Sequence, residues 1–226
     1  MNNTFSKSIQ GRKERMANII DILSDIYPNI QIQLNYSNPF ELLIATMLSA
    51  QCTDARVNLV TTKLFSKYII PEDYLKVPIE ELETDIFSTG FYKAKAKNIR
   101  GTCELLIHKF NGKVPEVLED LILLPGVGRK TANVVLGHCF NTPAIVVDTH
   151  VTRISNRLGF VATNDAYKIE LELMKVVHKE QWIKFTHLMI NHGRNTCIAR
   201  KPKCNICKFS HLCEYYRNYN YNHANK

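Results

Sequence analysis

Apolar residues recur along the chain at helical spacing, and the alternation of apolar and polar residues typical of strands is almost absent. One segment opens with Asn38 and Pro39 and carries Glu41 in its first turn. These residues are an N-cap, a first-turn proline and a capping-box carboxylate, and they predict a helix that runs to about Ser49. Its body, residues 42–48, is apolar nearly all round, so we expect it in the middle of a bundle. The pattern predicts an all-α fold.

Prolines and glycines divide the rest of the chain into short helices. Three prolines mark helix starts, and four glycines mark breaks, bends or close packing: Pro71, Pro78, Pro115, Gly90, Gly101, Gly112 and Gly137. About ten helices would result. The chain has no Ser-rich or Gly-rich linker, so a second domain must pack closely or share both chain ends.

The composition is that of a globular protein. A chain of 226 residues, 45% apolar and 22% charged, buries a sizeable core without disulfides and is unlike collagen, coiled coils or disordered chains. The longest stretch without Asp, Glu, Lys or Arg, residues 131–147, falls short of the ~20 apolar residues that cross a bilayer. The N-terminus lacks the apolar segment of a secretory signal. We therefore expect a cytoplasmic protein with no membrane partner.

The charge is positive and unevenly distributed. The formal net charge of +8 favours a polyanionic partner, although it also serves solubility. Residues 71–85 are rich in acids, whereas residues 194–226 carry seven Lys and Arg against the single acid Glu214. This distribution is typical of a protein that lays one side on phosphates, and it also fits solvated charge runs.

The chain has seven cysteines, and in a protein expected to be cytoplasmic they indicate a metal site or a nucleophile in place of disulfides. Cys52, Cys103 and Cys139 lie far apart in apolar contexts and are expected to be structural. The other four form a C-x6-C-x2-C-x5-C run at Cys197, Cys204, Cys207 and Cys213. The spacing predicts four thiolates around one centre, and both zinc and an iron-sulfur cluster fit it.

Residues 124–130 read L-P-G-V-G-R-K and join two helical stretches. Gly126 and Gly128 allow a tight hairpin whose backbone N–H groups, at the start of the next helix, can hold a phosphate. Lys130 lies in the first turn of that helix, where the helix dipole disfavours an ammonium and favours the neutral, nucleophilic amine. A lysine that only contacts phosphate fits the same position equally well.

Asp148 follows the apolar run of residues 144–147 and precedes another helical stretch. A carboxylate at this position can cap the helix. It can also stand beside Lys130, where it would accept a proton, orient a sugar or stabilise positive charge. The sequence leaves both interpretations open.

Four segments in one order resemble the endonuclease III family of bifunctional DNA glycosylases. They are S-A-Q-C-T-D at residues 49–54, the hairpin and helix start at 124–132, V-D-T-H at 147–150, and the four-cysteine run. The resemblance extends from about Ile20 through Tyr215. Outside it lie an N-terminal extension and the end of a Tyr/Asn-rich tail. After Cys213, four tyrosines alternate with Arg and Asn, and the pattern fits base stacking or, more readily, a frayed terminus: Tyr215, Tyr216, Tyr219 and Tyr221.

The resemblance implies a helix-hairpin-helix glycosylase fold in two domains. Residues 32–142 would form a six-helix domain with the hairpin, and residues 1–31 with 143–226 would form an iron-sulfur cluster domain. It implies that Leu124, Gly126 and Gly128 bind the DNA backbone, that Lys130 is the nucleophile, and that Asp148 is its carboxylate partner. It also implies a [4Fe-4S] cluster on the four cysteines Cys197, Cys204, Cys207 and Cys213.

The resemblance further places Gln51 and Phe91 at the two positions whose side chains, in the family, enter the duplex after a nucleotide has been rotated out. A polar amide and an apolar wedge suit the two sides of a vacated stack. An aliphatic residue is usual where Phe91 stands, and a small residue or Thr where Cys52 stands. Without the family, Gln51 would be a polar helix end and Phe91 a core aromatic.

Three basic residues, Arg200, Lys201 and Lys203, lie between the first two cysteines of the run. Coordination would hold both ends of this loop, so we expect its bases to face DNA phosphates. With its irons saturated by thiolate and sulfide, the cluster would be a scaffold.

The activity implied is base excision repair of damaged double-stranded DNA by a monomer. Oxidised pyrimidines would be excised through a Lys130 Schiff base, and β-elimination would cleave the strand 3′ of the abasic site. One alternative is the adenine-specific mismatch glycosylase, which uses a Glu general acid, but residues 42–53 contain no carboxylate. The other is a non-catalytic helix-hairpin-helix DNA-binding protein, and the pairing of Lys130 with Asp148 argues against it.

Overall fold

The computed structural model describes residues 5–218, and within that range it is helical with no strand. The chain divides into two compact units. The central unit is Ile32–Thr142, and the terminal unit combines Met1–Gln31 with Pro143–Lys226. Each unit has its own apolar core. None of the helices within residues 5–218 is long and apolar enough to cross a membrane.

The central unit contains six longer helices and the single-turn helix α7, which leads into the hairpin. Their bounds are α2 (Pro39–Leu48), α3 (Asp54–Lys67), α4 (Pro71–Lys76), α5 (Ile79–Ile86), α6 (Tyr92–Phe110), α7 (Leu118–Leu121) and α8 (Arg129–Cys139). Helix α2 packs against α3, α6 and α8, and α6 packs against α4 and α5. The hairpin therefore stands on a framework in which α2 and α6 are central.

Helix α2 forms as its sequence predicts. The Asn38 side chain accepts a hydrogen bond from the Glu41 N–H at 2.9 Å, and Pro39 is the first helical residue. Every residue from Leu42 to Leu48 is buried, which confirms the central position expected from its apolar body. Each such leucine or isoleucine side chain contributes about 1.5–3 kcal/mol on burial, so packing dominates the stability of this helix.

The terminal unit is built from the first helix of the chain and three helices that follow residue 142. They are α1 (Ile9–Ile26), α9 (Thr149–Leu158), α10 (Ala166–Met174) and α11 (Trp182–Asn195). Helix α11 packs against α1 and α9, and α9 packs against α10. Beyond α11 the chain runs through the four cysteines in short 3₁₀ turns and ends, in the described part, in a helical segment at 214–218.

Candidate functional site

The hairpin between α7 and α8 is held against α6 by close contacts. Leu124 and Val127 are buried and anchor it in the core, and the Thr102 hydroxyl donates to the carbonyl of Pro125 at 2.9 Å. Gly126 has a φ of +77°, and a Cβ there would come within 2.8 Å of the Asn98 side chain. Glycine is therefore required at position 126 both by backbone conformation and by space.

The first turn of α8 has no capping side chain. Gly128 is its N-cap and supplies no side-chain hydrogen bond to the first turn, whereas α2, α9 and α10 begin with a capping side chain. The first N–H groups of a helix have no intrahelical acceptor, and the helix dipole makes this end favourable for an anion. The hairpin and the first turn of α8 thus offer the type of backbone surface that binds a phosphate.

Lys130 is the second residue of α8 and its side chain is exposed. It belongs to the central unit, whereas Asp148 belongs to the terminal unit. The Lys130 amine thus lies two residues beyond Gly128, in the first turn of α8.

Asp148 is half-buried and is the N-cap of α9. Its Oδ1 atom accepts hydrogen bonds from the N–H groups of His150 and Val151, both at 2.8 Å. The capping interpretation of Asp148 is therefore correct. A carboxylate accepts more than two hydrogen bonds, so capping leaves it able to interact with a further group.

Gln51 and Phe91 both lie in turns of the central unit and both are exposed, Phe91 at 66%. Gln51 follows the end of α2 with a φ of +54°, and Phe91 precedes α6 with a φ of +51°. Gln51 is thus a polar residue just past a helix end, as the sequence suggested without the family. Phe91 is not a core aromatic, so that interpretation is wrong.

The four cysteines of the run line a single cavity in the terminal unit, together with Arg157, His192 and Phe209 among others. All four are half-buried: Cys197, Cys204, Cys207 and Cys213. Within residues 5–218, no group of three or more His, Cys, Asp or Glu side chains is arranged as the ligands of one metal ion. The four thiols nevertheless line one cavity, and their arrangement around a single centre stays a prediction.

Burial governs the protonation of the groups in this cavity. Desolvation raises the pKa of Cys207 to about 11, and it also raises the pKa values of Cys204 and Cys213. It lowers the pKa of His192 to about 4, so that imidazole is neutral. Thiolates in a half-buried cavity need positive charge beside them. A metal centre ligated by the thiolates supplies that charge when it is bound.

Two arginines of α9, four residues apart, organise the cysteine loop, and sequence reasoning did not find them. Arg157 donates to the carbonyls of Ile198 and Ala199 at 2.8 Å and to the Cys197 sulfur at 3.2 Å. Arg153 donates to the Cys197 carbonyl at 3.0 Å. Their i, i+4 spacing places them on one face of the helix, which was the available signal.

The basic loop, residues 198–203, is pinned at both ends by these contacts and by a hydrogen bond from the Lys203 N–H to the Thr196 carbonyl at 3.0 Å. Arg200, Lys201 and Lys203 are all exposed. Lys201 has a φ of +53°, so the loop turns sharply there. Arg157 thus holds the first residues of the loop that carries the three exposed bases.

Comparison with known proteins agrees with this architecture. A family model described as HhH-GPD superfamily base excision DNA repair protein matches residues 44–179. Endonuclease III of Bacillus subtilis is 50% identical over 195 residues, which cover 86% of this chain and 89% of the relative.

Two solved structures share the fold. A non-covalent endonuclease III–DNA complex is 50% identical, with a TM-score of 0.87, and the match covers 92% of this chain and 97% of that one. A trapped covalent endonuclease III–DNA intermediate is 50% identical with a TM-score of 0.87, over 92% of this chain and 98% of that one. The chain belongs to the endonuclease III family, and the helix-hairpin-helix glycosylase fold predicted from sequence is confirmed.

Proposed function

We propose that this protein is a bifunctional DNA glycosylase and abasic-site lyase of base excision repair, which excises oxidised pyrimidines from double-stranded DNA. The observation that carries the proposal is the position of Lys130, exposed in the first turn of α8 directly beyond the hairpin. The trapped covalent complex of the 50% identical endonuclease III provides a precedent for a bond between such a protein and DNA.

The first half of the reaction replaces the base by the enzyme. The Lys130 nitrogen forms a bond to C1′ of the extruded nucleotide, and the C1′–N bond to the base breaks. The base leaves with the bonding electrons and takes up a proton. Opening of the sugar ring then gives a protonated C1′=N Schiff base between lysine and sugar.

The second half cleaves the strand. The iminium acidifies the C2′ proton, and its removal forms a C2′=C3′ double bond while the C3′–O bond breaks. The 3′ phosphate departs with those electrons. Water hydrolyses the imine, which returns Lys130 as an amine and leaves an unsaturated aldehyde on the other fragment.

Asp148 would assist by stabilising the positive charge that develops at the sugar and by handling protons. Its Oδ1 atom is committed to the first turn of α9, so the carboxylate is oriented before substrate arrives. A preoriented charge does not have to reorganise during the reaction. Capping and catalysis are compatible uses of this one side chain.

Three surfaces would bind DNA. The hairpin, with Gly126 and Gly128, would hold a backbone phosphate at the open start of α8. Arg200, Lys201 and Lys203 would add exposed positive charge, which raises affinity without reading sequence. Gln51 and Phe91 would enter the stack vacated by the extruded nucleotide.

The four cysteines would hold a [4Fe-4S] cluster, with one thiolate for each iron: Cys197, Cys204, Cys207 and Cys213. Four thiols in one cavity are the donor set of such clusters. When bound, the cluster supplies the positive charge that keeps the buried thiols ionised and ties the two ends of the basic loop together. If the four cysteines hold the cluster, the terminal unit is the cluster domain.

Borohydride trapping on a duplex with one oxidised pyrimidine tests the proposal. Reduction converts the Schiff base to a stable amine, so the wild-type chain should form a covalent protein–DNA adduct and Lys130→Ala should form none. Lys113→Ala, which removes another exposed lysine of the central unit, is the matched control and should retain the adduct.

The alternative functions give different results in the same assay. A non-catalytic DNA-binding protein would retain the duplex without an adduct or base release. An adenine-specific mismatch glycosylase would release adenine from a mismatched duplex with no dependence on Lys130. Either result with the wild-type chain would refute the proposed function.

A further inference from the structure

Two turns that are far apart in the sequence carry the two residues proposed to enter the duplex. Gln51 and Phe91 both have left-handed backbone conformations, with φ values of +54° and +51°. Residues other than glycine adopt this region only at an energetic cost, and such conformations persist when the surrounding structure determines them. Contacts with the surrounding structure must therefore stabilise the backbone of these two turns.

Lys95 contacts both turns. It lies in the first turn of α6, and its ammonium donates to the Leu48 carbonyl and to the Thr89 carbonyl, each at 2.8 Å. Leu48 is the last residue of α2, three residues before Gln51, and Thr89 lies two residues before Phe91. The backbone N–H of Lys95 also donates to the Phe91 carbonyl at 3.0 Å.

The lysine is 7% exposed, so these hydrogen bonds are made away from water. Burial lowers the pKa of Lys95 because the charged form loses its hydration. An ammonium has three donors, and the two carbonyls satisfy two of them. The last carbonyls of a helix are without intrahelical partners and favour a cation, and Lys95 satisfies one of them at the end of α2.

We propose that Lys95 is a positioning residue for nucleotide extrusion, which fixes the Gln51 turn and the Phe91 turn relative to one another so that both side chains enter the duplex together. The proposal rests on the proposed function, and because Lys95 is buried it would act through the two turns and not by contact with DNA. Two residues that must fill one vacated stack need a defined separation, and a misplacement of about 1 Å can cost 10²-fold in rate.

The test compares one lesion in two contexts. In a fully paired duplex the damaged nucleotide has to be extruded, whereas in an unpaired bubble little unstacking is needed. We expect Lys95→Met to reduce single-turnover excision from the duplex by about 10- to 100-fold. Excision from the bubble should change by less than about threefold, because extrusion is not required there.

Lys93→Met is the matched control, because Lys93 is exposed in the same first turn of α6. It should leave both rates near wild type. An equal loss of Lys95→Met activity on duplex and bubble would indicate a general structural role, and unchanged duplex excision would show that the contacts are dispensable. Either result would overturn the proposal.

A second measurement keeps Lys95 in place and does not depend on folding of the Lys95→Met variant. Gln51→Ala and Phe91→Ala change two exposed side chains, and their effects on duplex excision should be non-additive if the two turns act as one unit. Additive effects would refute the coupling. Failure of the proposed function itself is separate, because the wild-type chain would then excise nothing from either substrate.

Discussion

Replacement of Asp148 by Asn separates capping from catalysis. The Oδ1 atom of Asp148 accepts two N–H groups at the start of α9, both at 2.8 Å. Asparagine keeps an oxygen acceptor at this position and removes the charge, whereas alanine removes both. If the carboxylate acts in the reaction, the two variants should lose activity alike and differ in stability.

The expected stabilities follow from the geometry. Two short hydrogen bonds to the side chain of a half-buried aspartate indicate that this cap contributes about 1–2 kcal/mol to the free energy of unfolding. For a chain of this size each kcal/mol moves Tm by about 2–4 °C, so Asp148→Ala should lower Tm by about 2–8 °C. Asp148→Asn loses only the interaction between its charge and the helix dipole, about 0.3–1 kcal/mol, and should therefore melt closer to wild type.

The expected rates differ from the stabilities. Loss of a group that handles protons and stabilises charge slows single-turnover excision by about 10²- to 10⁴-fold, and this should hold for both variants. Thermal denaturation and single-turnover base release measure the two effects on the same preparations.

Asp165 provides the control. It caps α10 through hydrogen bonds from the Tyr167 and Lys168 N–H groups at 3.0 and 3.1 Å, and it belongs to the same unit. Asp165→Ala should lower Tm without slowing base release. Wild-type excision by Asp148→Asn would show that Asp148 is a cap alone, and the catalytic role would be abandoned.

Three further predictions concern DNA affinity, the hairpin and the cofactor. Neutralising Arg200, Lys201 or Lys203 should weaken DNA binding and reduce its salt slope by up to about one unit each, measured by fluorescence anisotropy, and altered lesion preference at an unchanged slope would contradict this. Gly126→Ala places a side chain at a φ of +77°, so it should lower the free energy of unfolding by about 1–2 kcal/mol and should also weaken DNA binding. Gly128→Ala is its control, since a Cβ there meets nothing within 4 Å, and equal destabilisation in urea would refute the argument. Anaerobically purified protein should absorb visible light as iron-sulfur proteins do, and a colourless, zinc-containing protein would exclude the cluster.

Local chemistry explains why much of the fold was predictable. Helix α2 begins at the predicted cap and proline and is buried along its apolar body. Pro71 is the first residue of α4, and Gly90 ends the 3₁₀ turn before α6 with a φ of +71°. In each case the residues responsible lie within one or two turns of the feature they produce.

The candidate site was predictable only in part. The hairpin glycines indicated a tight turn, since that signal is contained in one short segment. The cysteine spacing predicted four thiolates around one centre, which stays a prediction, although the four thiols line one cavity. Lys95 carried no comparable signal, because its partners lie on other elements. The i, i+4 spacing of Arg153 and Arg157 was a signal for a shared helix face, but it did not identify the cysteine loop as their partner. The exposure of Phe91 was likewise decided by the conformation of its turn.

The sequence by itself determined the helical fold and the start of α8 without a capping side chain, because capping and backbone freedom act between near neighbours. Only the tertiary structure decided that one lysine is buried between two turns and that Arg157 holds the basic loop. The physical reason is that desolvation and hydrogen bonding to distant carbonyls depend on which elements pack together, and no single segment contains that information.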